Sequence, residues 1–141
     1  MANVIPFSFR GELFTGTHNF ASGGDDFKLA LYTANPYTTS STVYNATNEV
    51  SASGTGYTTT GNTLTGNAVA YGTAVASCDF ADAVWTAATF TAAFGAIYND
   101  DESDKLCVVL DFSGSKYCNN GTFKVSFPSP TTPANAIISM A

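Results

Sequence analysis

Short stretches in which apolar and polar residues alternate dominate the chain, and this period of two is typical of strands that bury one face. The first stretch covers residues 27–33, where Phe27, Leu29 and Leu31 share a face. Further predicted strands cover residues 69–71, 75–80, 85–98, 105–112 and 123–127. Gly, Asn, Asp, Ser and Pro separate these stretches. The pattern predicts an all-β fold, and we expect one domain over residues 1–141, an antiparallel β-sandwich of jelly-roll or immunoglobulin-like type.

The longest alternation, over residues 85–98, predicts a strand with a bend or bulge, for which Gly95 is the candidate. The residues expected on one of its faces are Phe90, Ala92, Phe94, Ala96 and Tyr98. An acidic run over residues 99–104 predicts a hairpin to the strand at 105–112, and residues 113–121 are expected to form the next turn. The residues expected on one face of strand 105–112 are Leu106, Val108, Leu110 and Phe112.

Residues 1–20 do not follow the strand pattern. Ile5, Phe9 and Leu13 recur at i, i+4 and i+8, and Pro6 is tolerated at the start of a helix, so a short helix is one expectation. The alternative is an extended Phe-rich arm that packs on a neighbouring subunit. The candidate contact residues in this segment are Phe7, Phe9, Leu13 and Phe14.

Residues 34–66 are rich in Thr, Ser, Asn and Gly and contain only scattered apolar side chains. Loops longer than about 12–15 residues are uncommon unless they are functional, so this polar segment is the second candidate for a contact surface. Its candidate contact residues are Tyr37, Tyr44 and Tyr57. The alternative is a pair of edge strands over residues 43–49 and 57–64.

Charged residues make up only 11% of the chain, against about 25% in an average soluble domain, and the net charge is −6. This charge repels phosphates and anionic headgroups, so we expect neither nucleic acid nor membrane as a partner. The N-terminus does not resemble a classical signal peptide, and we expect synthesis in a cytoplasm. Cys78, Cys107 and Cys118 lack CxxC spacing and are expected to be free thiols, although a Cys107–Cys118 bridge is conceivable.

Candidate chemistry is sparse in the sequence. His18 is the single histidine, its neighbours are polar, and no GxSxG motif accompanies it, so we expect it to form hydrogen bonds and not to act as a base. Most acidic residues fall in predicted turns, where Asp stabilises the backbone. Residues 100–104 are a weak candidate for a hard cation, since the run lacks the D-x-[DN]-x-[DN]-G pattern. We expect no catalytic residue, no metal and no cofactor.

Three stretches resemble small virion proteins of tailed bacteriophages, of the head-decoration or capsid-cement type. The first combines SFRGEL at residues 8–13, GTHNF at 16–20 and FKLALY at 27–32. The second runs from CDFAD at residues 78–82 to IYN at 97–99, and the third is VLDF at 109–112. The resemblance covers most of the chain but consists of packing motifs, so it assigns no functional residue.

The resemblance implies a structural virion protein, made in the host bacterium, that stabilises the head shell. Its expected partners are the major capsid protein or other virion proteins and further copies of itself, with a trimer favoured. Two alternatives stay open. One is a tail, collar or fibre component of the same particle. The other is a carbohydrate-binding β-sandwich module, in which Trp85 and exposed Tyr37, Tyr44 and Tyr57 would stack on sugar rings.

Overall fold

A computed structural model describes residues 3–128 and 136–140. These residues form one helix and seven strands, which are α1 (Phe7–Thr15), β1 (Phe27–Tyr32), β2 (Asn62–Thr63), β3 (Ala68–Tyr71), β4 (Ala76–Asp79), β5 (Ala83–Asn99), β6 (Lys105–Val125) and β7 (Ile138–Met140). The strands pair into a larger sheet of order β2-β1-β5-β6 and a smaller sheet of order β3-β4-β7, and every pairing is antiparallel. The predicted all-β, sandwich-like fold with a short N-terminal helix is confirmed.

The larger sheet is buried on both faces, as the burial of β1 shows. Leu29 and Leu31 point into a core that also contains Cys78 and Ile138 of the smaller sheet. Ala30 and Tyr32 point the other way, into a second cluster with Tyr37 of the polar segment. Tyr37 and Tyr44 of the polar segment therefore pack on the face of the larger sheet that lies away from the smaller sheet, whereas Val50, Tyr57 and Leu64 of the same segment belong to the core between the sheets.

The predicted face of β5 is wrong in its second half. Phe90 and Ala92 lie in the core between the sheets, whereas Phe94, Ala96 and Tyr98 belong to the cluster on the opposite face. The register with β6 shifts between Ala92 and Phe94, and this irregularity exchanges the two faces. The bend that was expected at Gly95 falls just before it.

Two expectations for β6 are also wrong. Residues 113–121 form no turn between strands, because β6 continues through them and pairs Tyr117 with Thr91. The extra residues bulge out of the ladder, with positive φ at Ser113 and Gly114. Leu106 does not share the core of Val108, since the register slips by one residue between them.

The edge strands expected within the polar segment are almost absent. Residues 43–49 form isolated bridges, Val43 to Lys105 and Glu49 to Tyr32, and of residues 57–64 only Asn62–Thr63 joins the sheet. The three cysteines are free, and Cys107 and Cys118 lie on the same strand, β6, which rules out the conceivable bridge between them.

Candidate contact surface

Helix α1 is fixed at both ends by backbone hydrogen bonds. The N–H of Phe7 donates to the carbonyl of Thr39 at 3.0 Å, which joins the start of the helix to the polar segment. Gly16 ends the helix with φ of 69°, and its N–H donates to the carbonyl of Leu13. Phe9 is fully buried, with its ring 6.0 Å from that of Phe20. The predicted helix is therefore present, with Phe9 and Leu13 on its inner face, whereas Ile5 precedes its first residue.

A partly buried polar network joins the same helix to the residues that flank the turn between β5 and β6. The Glu12 carboxylate bonds His18 Nε2 at 2.8 Å and accepts from Lys105 Nζ at 3.2 Å. His18 Nδ1 lies 3.0 Å from the side-chain nitrogen of Asn99, which also donates to Asp25 at 2.8 Å. Both ring nitrogens of His18 are therefore occupied by structural partners, in line with the expected hydrogen-bonding role.

The outer face of α1 carries two exposed phenylalanines. Phe7 and Phe14 are seven residues apart, close to two helical turns, and they are 59% and 94% exposed. The Arg10 guanidinium lies 4.7 Å from the centre of the Phe7 ring. Phe14 is thus the more completely solvated of the two.

An apolar groove of about 130 Å³ separates the inner flank of α1 from the smaller sheet. Its lining residues are Phe9, Leu13, Phe20, Val69, Ala76, Ser77, Cys78, Ile138 and Met140. Burial, followed by the charge of Asp79, raises the pKa of the Cys78 thiol to about 12, so this thiol behaves as an apolar wall.

The smaller sheet continues the groove as two cross-strand rows. Val69, Cys78 and Ile138 form the row nearer the helix, and the pairing places Tyr71, Ala76 and Met140 in the next row on the same face. Tyr71 is 83% exposed and Met140 is 58% exposed. We call Leu13, Val69, Tyr71, Ala76 and Met140 the apolar face.

The predicted contact residues divide into two groups. Phe7 and Phe14 are exposed, Leu13 lines the groove, and Tyr44 is half-buried. Phe9, Tyr37 and Tyr57 are buried inside the chain and do not offer a surface to a partner. Sequence reasoning missed Val69, Tyr71 and Met140. The available signal was the alternation in residues 68–71, where Val69 and Tyr71 share a face of a short strand.

Tyrosine side chains hold the polar segment against the rest of the fold through their hydroxyl groups. The tyrosine cluster consists of Tyr32, Tyr37, Tyr44, Tyr57 and Tyr98. Glu49 accepts hydrogen bonds from the hydroxyls of Tyr57 at 2.7 Å and Tyr44 at 2.5 Å. The hydroxyl of Tyr98 donates to the carbonyl of Thr60. Burial is the main cause that raises the pKa of every phenol in this cluster.

The sugar-stacking hypothesis loses its aromatic platform. Trp85 is 2% exposed, and Tyr37 and Tyr57 are buried, contrary to the exposure that the hypothesis required. The rings of Trp85 and Tyr57 stack on each other at 6.2 Å within the core.

The acidic turn before β6 uses its side chains internally. Asp100 pairs with Lys28 at 2.9 Å, and Asp101 accepts from the N–H of Asp26 at 2.8 Å. Burial, followed by repulsion from Asp100, raises the pKa of Asp104. Within residues 3–128 and 136–140, no cluster of three or more His, Cys, Asp or Glu side chains could hold a metal ion.

In the same described residues, no helix has the length and apolar character needed to cross a membrane. Comparison of the chain with family models, curated proteins and solved structures found no match.

Proposed function

We propose that the chain is a structural protein of a tailed-bacteriophage particle, attached to the outside of the head shell as a decoration or cement protein. The packing motifs that resemble such proteins motivate the proposal. The single observation that carries it is the apolar face, because exposed apolar patches beyond a few hundred Å² mark interaction sites.

The size of this face supports an interaction role. A fully exposed Phe or Tyr offers about 150–250 Å². Tyr71, at 83% exposed, presents roughly 120–200 Å² beside the groove. Met140 and Val69 extend the same surface. A monomer that works alone gains nothing from this exposure, whereas an assembly buries it.

Composition supports the same role. With charged residues at 11% of the chain, few charges must be desolvated when the surface docks on another protein. A shell repeats each docking position many times and holds every copy close to its site. Modest individual contacts are therefore sufficient for stable attachment.

The first test is location. Particles of the phage that encodes the chain would be separated into heads and tails, and the chain quantified in each by mass spectrometry. We expect it with heads, in a fixed ratio to the major capsid protein. Recovery with tails alone would refute the decoration role in favour of a tail component, and absence from both would refute a virion role.

The second test concerns the surface. Heads that lack the chain would be titrated with purified protein, and attachment followed by sedimentation. Tyr71→Ser is expected to weaken attachment by at least about tenfold, since it removes most of a large exposed aromatic. The matched control is Tyr117→Ser on β6, where Tyr117 is 68% exposed and lies outside the apolar face. Equal affinities of the two variants would contradict the assignment of this face.

A further inference from the structure

Phe14 is the most exposed large apolar side chain among the described residues, at 94%. It directly follows Leu13, which lines the groove. Successive helical residues are about 100° apart, so the ring of Phe14 lies on the outer flank of α1 while the groove opens on its inner flank. One helix therefore presents a projecting ring and a neighbouring apolar cavity.

The cavity has the size of such a ring. Its volume is about 130 Å³, and an apolar cavity of about 150 Å³ in another protein holds benzene. Apolar side chains form most of the lining, and the Ser77 hydroxyl, which borders the groove, has no hydrogen-bond partner. The groove thus suits a phenyl group better than a polar side chain.

We propose that the partner of this face is a second copy of the chain, with Phe14 of one copy seated in the groove of the other. This inference rests on the proposed function and deepens it, because it names the contact that joins neighbouring copies. Since each copy carries both the ring and the groove, a two-fold dimer makes this contact twice, once in each direction.

The area agrees with a specific contact. Phe14, Tyr71, Met140 and the exposed part of Val69 present roughly 500 Å² per copy, from their exposed fractions and typical side-chain areas. In a two-fold dimer each copy covers both the ring and the groove of the other, so about 1,000 Å² is buried, the lower limit for a specific interface. This size predicts a weak contact that repetition on a particle strengthens.

The electrostatics of the helix permit two copies to meet despite the net charge of −6. Glu12 is the only acidic residue of α1, and its carboxylate points inward to His18 and Lys105. The acidic turn at residues 100–104 bonds to Lys28 and Asp26, on the β1 side of the hairpin. Among the residues that the structure describes, no side-chain carboxylate lines the groove.

The test is the association constant of the purified full chain, measured by sedimentation equilibrium from micromolar to millimolar concentration. We expect wild-type protein to self-associate and Phe14→Ala to weaken association by roughly 10- to 100-fold, from the burial of one phenyl group. Phe7→Ala, on the same outer face of α1, is the control and should keep the wild-type constant. Far-ultraviolet circular dichroism checks that each variant is folded.

A complementation experiment locates the groove. Ala76→Phe fills the cavity and keeps the ring of Phe14, whereas Phe14→Ala keeps the cavity and lacks the ring. Each variant alone should stay monomeric, and an equimolar mixture should form hetero-oligomers, because one intact pairing is restored. A mixture that stays monomeric, or Phe14→Ala protein that associates like wild type, would overturn the inference.

The two proposals fail separately. Wild-type protein that is monomeric at millimolar concentration yet attaches to heads through Tyr71 would refute the second copy as partner and leave the virion role intact. Protein that self-associates through Phe14 but is absent from heads and tails would refute the virion role and leave the contact intact.

Discussion

Removal of one hydroxyl, in Tyr57→Phe, is expected to destabilise the protein strongly. Tyr57 is 4% exposed, and its ring packs against Trp85 and Phe90, contacts that Phe retains. Its hydroxyl donates to Glu49 at 2.7 Å and accepts from the N–H of Leu31 at 3.0 Å. A single oxygen therefore bridges β1 and the polar segment.

The magnitude follows from these two bonds. Loss of the acceptor leaves the buried N–H of Leu31 unpaired, which costs about 1–3 kcal/mol. Loss of the bond to a carboxylate costs about 1.5–3 kcal/mol. The lower end applies here because the Glu49 carboxylate still accepts a hydrogen bond from the N–H of Thr60 at 2.7 Å. We expect the free energy of unfolding to fall by about 3 kcal/mol, and the melting temperature by roughly 10 °C.

The assay is urea unfolding followed by the fluorescence of Trp85, the only tryptophan. Tyr117→Phe is the control, because Tyr117 is 68% exposed, and its effect should stay within about 0.5 kcal/mol. If Tyr57→Phe were equally mild, the tyrosine cluster would not anchor the polar segment and the reasoning would be refuted. A double-mutant cycle with Glu49→Gln should give a coupling of roughly 0.5–3 kcal/mol.

Three further predictions concern other parts of the fold. Gly61→Ala should cost about 3 kcal/mol or more in thermal unfolding, since Gly61 has φ of 83° and a Cβ would lie 2.0 Å from a backbone oxygen of β1. Gly54→Ala, with φ of 68° and no atom within 4 Å, should cost only about 1–2 kcal/mol. Stability should stay nearly constant up to about pH 8 and fall above it. The folded pKa values of the Cys78 and Cys107 thiols and, at higher pH, of the tyrosine cluster are raised above their unfolded values, so the unfolded chain loses protons first. Denaturant titrations between pH 8 and 11 measure this loss, and a flat profile would contradict it. Glu12→Gln should lower the free energy of unfolding by roughly 1.5–3 kcal/mol and speed hydrogen exchange in α1. Asp100→Asn breaks the more exposed pair with Lys28 and should cost at most about 1 kcal/mol.

The sequence predicted the strand positions well, and it predicted the strand faces correctly wherever the ladder is regular, as in β1. Alternation located β1, β3, β4 and β5 to within a few residues. It failed where the ladder is irregular, because one extra residue on either strand reverses every later side chain. The composition around Ser113 and Gly114 is typical of a turn. In the structure β6 stays paired with β5 on both sides of these residues, and they form a bulge within the strand. Pairing between distant residues is not visible in a local pattern.

The candidate contact residues failed for a related reason. Tyr37 and Tyr57 stand among polar residues in the sequence, which suggested exposure. Both rings are buried, Tyr57 in the core between the sheets and Tyr37 on the opposite face of the larger sheet. The polar neighbours form the outer surface, and the tyrosines are the inward anchors. Phe7, Phe9 and Phe14 all lie in α1, as the sequence indicated. Which of them is buried depends on the side of the helix that packs against the sheets, and the local sequence does not show that side.

The inner bonds of α1 explain why its outer face suits a weak, repeated contact. A helix of nine residues is too short to be stable alone, so its order comes from what it packs against. Phe9, the Glu12–His18 pair and the bond from Phe7 to Thr39 hold it before any partner arrives. The Phe14 ring is thus displayed on a helix that is already ordered, and association does not pay for folding that helix. For the proposed dimer contact this order is necessary, because the entropy of ordering a flexible arm would exceed what one phenyl ring and its rim contribute.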